Sequence, residues 1–266
     1  MGRLTAWLVS RFRAWERPAK IGMALALALL ALALLVLVFG PPSIRQPALI
    51  GTFGLLVAAQ AIFMWANRGL VTPFTQAQRA YLAEDFEAAR ETLERLEQAG
   101  KADVRALTLL GNTYRQLGDL EKSEQVLTKA LSLRPSDPFP LYGFGRTLLI
   151  RGSYAEAVEA INRALMSGAP PVVYLDLGEA LFRQGRVEET QAALRVYRQQ
   201  AAGEPHRVLM ADYLLYQLGA EPPPSRERLQ AGLPFWQENA RRFRHTPYGQ
   251  SLAEDVRQMQ ALIEEA

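Results

Sequence analysis

The sequence contains no cysteine, which excludes disulfides, thiolate metal sites, thiol nucleophiles and iron–sulfur clusters. Histidine is nearly absent as well. Only His206 and His245 could act as imidazole bases or ligands, and both follow helix-breaking residues, where a surface position is expected. Phosphate and nucleotide loops are also missing. The single Gly-Lys pair, Gly100-Lys101, has Arg95 where such a loop begins with glycine, and Gly143 and Gly145 lack the third glycine of a dinucleotide fingerprint. No Gly-x-Ser-x-Gly and no His-x3-His occurs. An enzyme is therefore not expected, nor a cofactor, a metal or a small-molecule substrate.

Acidic residues are scarce in one part of the chain only. Residues 1–68 hold seven Lys/Arg and one acid, Glu16, while the remaining 198 residues sum to about −3 within a total of +3. A basic nucleic-acid-binding domain is not expected from that balance.

Charge is missing altogether from 21–39, a run of 19 apolar residues that covers roughly the 30 Å hydrocarbon core as a helix. It ends at Gly40-Pro41-Pro42. A second apolar run, 47–66, has Gln60 as its only strongly polar side chain and carries Phe63 and Trp65 at its end. With only residues 40–46 between them, the two runs predict an antiparallel transmembrane hairpin. A cleavable signal fits less well, because the first run is long and no Ala-x-Ala site follows it. Ala24, Ala28 and Ala31 on one face, and Gly54 with Ala58, offer small surfaces for close helix approach. The bases Arg3, Arg11, Arg13, Arg17 and Lys20 precede the first run, against Arg45 alone in the loop; Arg68 and Arg79 follow the second run. This asymmetry predicts both termini on the cytoplasmic side of a bacterial cytoplasmic membrane. Residues 1–20 read as an amphipathic interfacial helix, with Trp7 and Trp15 toward lipid and Arg3, Arg11, Arg13, Arg17 and Lys20 near headgroups.

The rest of the chain repeats itself. Gly111, Gly145 and Gly178 are each followed seven residues later by Gly118, Gly152 and Gly185, at a pitch of 34 and then 33 residues. Ala77 and Glu84 stand another 34 residues upstream. After each of these turns comes a small residue (Ala89, Ser123, Ala157, Thr190) and, four positions on, an aliphatic one (Leu93, Leu127, Ile161, Leu194). Such spacing predicts helix pairs that bury a continuous core only by stacking. The recurrent acids Glu87, Glu121, Glu156 and Glu188 then belong to a solvated helix face.

In these positions the sequence resembles the tetratricopeptide repeat family. The copies are 70–103, 104–137, 138–170 and 171–204; the first departs from the pattern at Pro73 and Glu84, and the join at 168–171 is irregular. Residues 205–266 are expected to add helices at about 206–218, 226–244 (broken at Pro234) and 247–265. The last has Thr246 as N-cap and an apolar side of Leu252, Val256, Met259, Leu262 and Ile263, as a terminal cap requires. The predicted fold is all-α: a transmembrane hairpin, then an α-solenoid with capping helices.

The resemblance implies that the first helices line a concave groove for a protein partner. Its groove positions correspond to Phe74, Gln78 and Tyr81; Arg105, Thr108, Asn112 and Arg115; Phe139, Tyr142 and Arg146; and Leu175, Glu179, Phe182 and Arg183. The family's clamp for a terminal carboxylate, built from two Lys, two Asn and one Arg, is met only by Asn112 and is not expected. Arg115 and Arg146 read as lying outside the repeat core. The basic run Arg241–His245 is explained by a helix C-terminus, with membrane contact as the functional alternative. The expected function is a membrane-tethered scaffold or assembly factor whose protein partner is itself membrane-associated. A permanent accessory subunit, recognised through its hairpin, is the alternative.

Overall fold

The computed structural model describes residues 15–67, 72–200 and 203–265, and every regular element among them is helical. Two compact units divide the chain, 1–72 and 73–266. Of the expected interfacial helix, Arg3, Trp7, Arg11 and Arg13 lie outside the described residues.

The first unit holds α1 (Arg17–Phe39) and α2 (Pro42–Asn67), both long and apolar enough to cross a membrane. Gly22 lies against Ile62, and Trp15 meets the ring of Phe63 edge-on at 5.6 Å, so the helices run antiparallel. Leu25, Leu29, Leu32, Leu35, Phe39, Leu49, Phe53 and Leu56 all point outward. The helices depart from expectation in two ways. Only Gly40 and Pro41 separate them, because Pro42 suits the first position of a helix and Pro47 is accommodated within α2. The contact is made through Ala19, Gly22 and Ala26, whereas Ala24, Ala28, Ala31, Gly54 and Ala58 face outward. Trp15 is buried against α2, while Arg17 stays exposed and Lys20 is half-buried.

The second unit is a stack of helix pairs: α3 (Pro73–Leu82) with α4 (Phe86–Gln98), α5 (Val104–Gln116) with α6 (Leu120–Leu133), and α7 (Pro138–Arg151) with α8 (Tyr154–Met166). A short 3-10 turn at Pro171–Val173 makes the irregular join to α9 (Tyr174–Arg183), which pairs with α10 (Val187–Gln200). Pro73 does not break copy 1; it opens α3.

The recurrent residues explain the pairing. A Cβ at Gly111, Gly145 or Gly178 would stand 2.5–2.6 Å from Leu127, Ile161 or Leu194, so glycine is what lets the second helix of each pair close. Those aliphatic residues and their small predecessors are fully buried. The turn between paired helices is the same each time. The N–H of residue 85, 119, 153 or 186 donates to the carbonyl of residue 80, 114, 148 or 181 at 2.9–3.1 Å, which requires a left-handed residue between them. Gly118, Gly152 and Gly185 supply it; in copy 1 Glu84 adopts φ of 59° instead.

The stack continues past the four expected copies. α11 (Pro205–Gln217) and α12 (Arg226–Arg242) form a fifth pair whose turn repeats the same bond, Ala220 N–H to Leu215 carbonyl at 2.9 Å, with Gly219 left-handed. Pro234 stays within α12 without breaking it. His206 is half-buried and not fully at the surface: its ring stacks on Phe235 at 3.7 Å, and its carbonyl accepts from the Trp236 indole at 2.7 Å. His245 is exposed and accepts from Arg244. The final helix, α13 (Pro247–Glu265), is capped by Thr246, whose hydroxyl accepts from the Gly249 N–H at 3.0 Å.

Candidate functional site

The first helices α3, α5, α7, α9 and α11 share one side of the stack, and the groove residues named from the sequence sit on them. The structure divides these residues into two groups. Toward α3 and α5 the face is open. Gln78 and Arg105 are exposed; Phe74 is half-buried, with the Arg105 guanidinium 5.2 Å from its ring; Tyr81 is half-buried and meets Phe86 edge-on at 5.3 Å. Phe139, in the first turn of α7, is exposed, whereas Thr108 is buried with its hydroxyl turned back to the Val104 carbonyl at 2.7 Å.

From Asn112 onward the face is a polar network, buried at Arg115, Asp176 and Glu179 and half-buried at Asn112, Tyr142 and Arg146. Arg115, only 4% exposed, donates to Asn112 at 2.6 Å and to the Gly143 carbonyl at 3.4 Å. Burial, with Arg146 close by, lowers its pKa from the usual arginine value. Asp176 gathers three partners: the Tyr142 hydroxyl at 2.5 Å, Arg146 at 3.1 Å and Arg207 at 3.9 Å. Burial of the Tyr142 phenol beside that carboxylate pushes its pKa up to about 12. Arg115 therefore belongs to the packed interior, contrary to the expectation that it lies outside, while Arg146 is half-buried and engaged by Asp176. A Cβ on Gly143 would stand 2.9 Å from Asn112 Oδ1 and 3.1 Å from Leu127, so glycine leaves room for the amide that Arg115 binds.

The network continues into α13, which packs chiefly on α12 and reaches α7, α9 and α11 through side chains. Pro247 packs on Gly152 at the end of α7. Tyr248 hydrogen-bonds the buried Glu179, and Arg183 pairs with Asp255. The Tyr213 hydroxyl reaches Asp255 at 3.4 Å and Gln258 at 2.9 Å. Glu179, with Arg183 at 3.9 Å, is pushed up to about 7 chiefly by burial, and burial also raises the carboxyl of Asp255. Leu175 is core, and the half-buried Phe182 has the Arg183 guanidinium 5.5 Å from its ring. So α13 does more than cap the last pair: its side chains also reach the inner face of the two before it. The basic run before it is divided. Arg241 pairs with Glu238, Phe243 is buried, and Arg242 turns inward.

Asp176, Asp255 and Gln258 could not be singled out from the repeat pattern, because their roles depend on α13 crossing the face. The detectable signal was the Tyr248, Leu252, Asp255, Met259 stripe, polar at two positions of an apolar side.

The model of the tetratricopeptide repeat family matches residues 74–138 and 142–205. Among solved structures, a thermophilic TPR protein from Thermus thermophilus superposes with a TM-score of 0.52 at 16% identity, over 71% of this chain and 97% of that one. MamA from Desulfovibrio magneticus gives 0.47 at 18% identity, over 71% and 91%. Likeness at such identities is one of fold. None of the curated proteins matches the sequence.

Proposed function

Because the chain is a tetratricopeptide repeat protein, we propose that it is a membrane-tethered scaffold or assembly factor, holding a protein partner on the inner face of its repeats at the cytoplasmic membrane surface. The observation that carries this reading is the sequence of two units in one chain. A hairpin of lipid-length helices with apolar side chains pointing outward is followed directly by a repeat stack with an uncovered stretch of inner face. Tethering raises the local concentration of a membrane-associated partner, so a modest surface suffices. That surface is Phe74, Gln78, Tyr81, Arg105 and Phe139, aromatic rings beside a cation. Arg17 and Lys20, with the bases before them, orient the hairpin toward a cytoplasmic repeat domain. A fold of this kind acts by binding, and the reading gives it no catalytic step.

The test is partner recovery in mild detergent. Phe74→Ala with Arg105→Glu should reduce recovery of a stoichiometric partner at least tenfold while leaving membrane insertion unchanged. A C-terminal tag should resist protease added to intact spheroplasts. Recovery that survives the double change but is lost on replacing α1 and α2 with an unrelated hairpin supports the second reading, an accessory subunit recognised through its spans. One observation favours that alternative: Arg115, Tyr142, Arg146, Glu179 and Arg183 are engaged within the chain, leaving a short open face.

A further inference from the structure

From α3 to α10, successive helices pack on one another through short connections, so they alternate in direction. The first helices therefore start, and the second helices end, along one edge of the stack. The chain enters the unit at that edge, at Pro73, after a tether of residues 68–72 that measures roughly 20 Å at full extension. Large apolar side chains stand bare there. Leu133 closes α6, Phe139 lies in the first turn of α7 where it also borders the inner face, and Met166 closes α8. Because α7 packs on both α6 and α8, the three fall along the edge in order. They are 58%, 65% and 88% exposed; Met166 is barer than Phe39 of the hairpin, at 81%. Exposure of that kind marks a contact surface.

Beside Pro73 the same edge holds a cleft of about 280 Å³, walled by Leu96 and Ala99 and flanked by Arg95 and Lys101. The carboxylates of the edge are engaged elsewhere. Glu97 takes Lys129 at 2.7 Å; Asp103 accepts from the Ala106 N–H and faces Arg105; Asp137 accepts from the Phe139 N–H and faces Arg134. Arg95 donates only to neutral oxygens, the Glu91 carbonyl and the Thr92 hydroxyl, and among the described residues neither it nor Lys101 has a carboxylate at ion-pair distance. We infer that this edge is a second membrane contact: Arg95 and Lys101 hold the phosphate of an anionic phospholipid at the cleft, while Leu133, Phe139 and Met166 enter the headgroup layer. Cations beside bare apolar side chains are what an anionic bilayer surface takes. The inference rests on the membrane-tethered part of the proposed function. A chain carrying its own hairpin meets that surface at a high effective concentration, so single contacts of modest strength suffice.

The lack of cysteine makes the test direct. Met166→Cys and Leu82→Cys variants of the full chain are labelled with an environment-sensitive fluorophore and placed one chain to a lipid nanodisc containing phosphatidylglycerol. Leu82 is the control, since it is 75% exposed but lies at the opposite edge, where α3 ends. A spin-labelled lipid with its nitroxide near the headgroup should quench the probe at 166 at least threefold more than the probe at 82. That quenching should fall at least twofold in pure phosphatidylcholine, and equally in the Arg95→Glu, Lys101→Glu double variant, whose changes are on exposed side chains. Equal quenching at the two positions overturns the inference, and so does quenching at 166 that the double variant leaves undiminished. Quenching that appears only when two chains share a disc assigns the edge to a second copy and overturns it too. Resistance to an alkaline carbonate wash reports the hairpin separately. A chain that stays inserted without excess quenching at 166 sinks the edge contact and leaves the tether standing; one that washes off sinks both.

Discussion

The Arg242 guanidinium donates to the side-chain oxygen of Gln116 at 2.8 Å, joining the last turn of α12 to the last turn of α5 across 126 positions of sequence. The same guanidinium lies 3.7 Å from Glu84 and 5.3 Å from the centre of the Phe86 ring. One side chain thus ties the fifth helix pair to the turn of the first. A double-mutant cycle of Arg242→Ala and Gln116→Ala should give a coupling of about 0.5–1.5 kcal/mol in urea unfolding. Additive losses would mean that the contact carries no energy of its own.

Crowding at the helix crossings predicts a large cost for filling them. Gly145→Leu must push against Ile161, whose Cγ1 and backbone N would stand 2.6 and 3.2 Å from the new Cβ, at a cost of about 1–3 kcal/mol or more. Ala155→Leu, on the exposed side of α8, is the control and should stay within about 0.5 kcal/mol. Gly203, outside the repeat motif, is no substitute for it, because a Cβ there would meet Val208 and the Tyr197 hydroxyl. Thermal melting followed by circular dichroism separates the outcomes.

The left-handed turns make a graded series. Gly118→Ala meets open space, so its cost is backbone strain alone, about 1 kcal/mol. Gly152→Ala should cost more, because its Cβ would also stand 2.9 Å from Pro247 at the start of α13. Glu84→Gly relieves the one left-handed residue among the described residues that is not glycine, and the largely exposed ion pair it loses is worth little, so it should not destabilise. Urea midpoints that rank these variants in another order would contradict the shared turn geometry.

Reversing a buried charge and an exposed one should have opposite consequences for interpretation. Arg115→Glu leaves Asn112 and the Gly143 carbonyl without their donor and buries a lone anion, at a cost of about 3–5 kcal/mol. Arg105→Glu, on an exposed side chain, should remain within about 0.5 kcal/mol. Equal melting temperatures for the two would show that Arg115 is not part of the interior.

Acidification should strengthen the docking of α13. Glu179 holds its proton up to about pH 7 in the folded chain, against about 4.5 as a free carboxyl, so between those values the folded state binds the proton that the unfolded state releases. Stability then falls as pH rises through that window, by at most about 1.4 kcal/mol for each pH step of one. The groups facing Glu179 are Arg183 and Asp176 on its own helix, Tyr248 and Asp255 from α13, and Arg146 from α7. Asp255, also raised, acts in the same direction, whereas His206, lowered by burial, acts in the opposite one. The difference between wild type and Glu179→Gln isolates the carboxyl: unfolding midpoints at pH 5.5 and 8 should converge in the variant.

Most of the fold was legible because it is written in local spacing. Gly145 and Ile161 are 16 residues apart and announce a helix pair by themselves, and the apolar length of 21–39 announces α1. The fifth pair was harder to read. Its turn keeps Gly219 in register, but Asp212 stands where the mid-helix glycine would be, and the proline-rich connection hides α12. The inner face was legible only in part. Of the residues named by repeat position, Gln78, Arg105 and Phe139 lie exposed and Phe74 half-buried, yet the same rule could not foresee that Arg146, Glu179 and Arg183 meet side chains from beyond residue 205. A repeat pattern describes neighbours in the stack; it is silent about a helix that crosses several of them.

That crossing helix also changes how the second unit should come apart. A linear array, in which each pair touches only its neighbours, frays from its ends and passes through partly unfolded states. Here Arg242 fastens the fifth pair to the first two, and α13 reaches the third and fourth, so neither end is free to unzip alone. The stack gains the all-or-none character of a small globular domain. It also takes on the long sequence separations that slow folding, because pairs that form quickly by themselves must wait for the last helices before they are locked together.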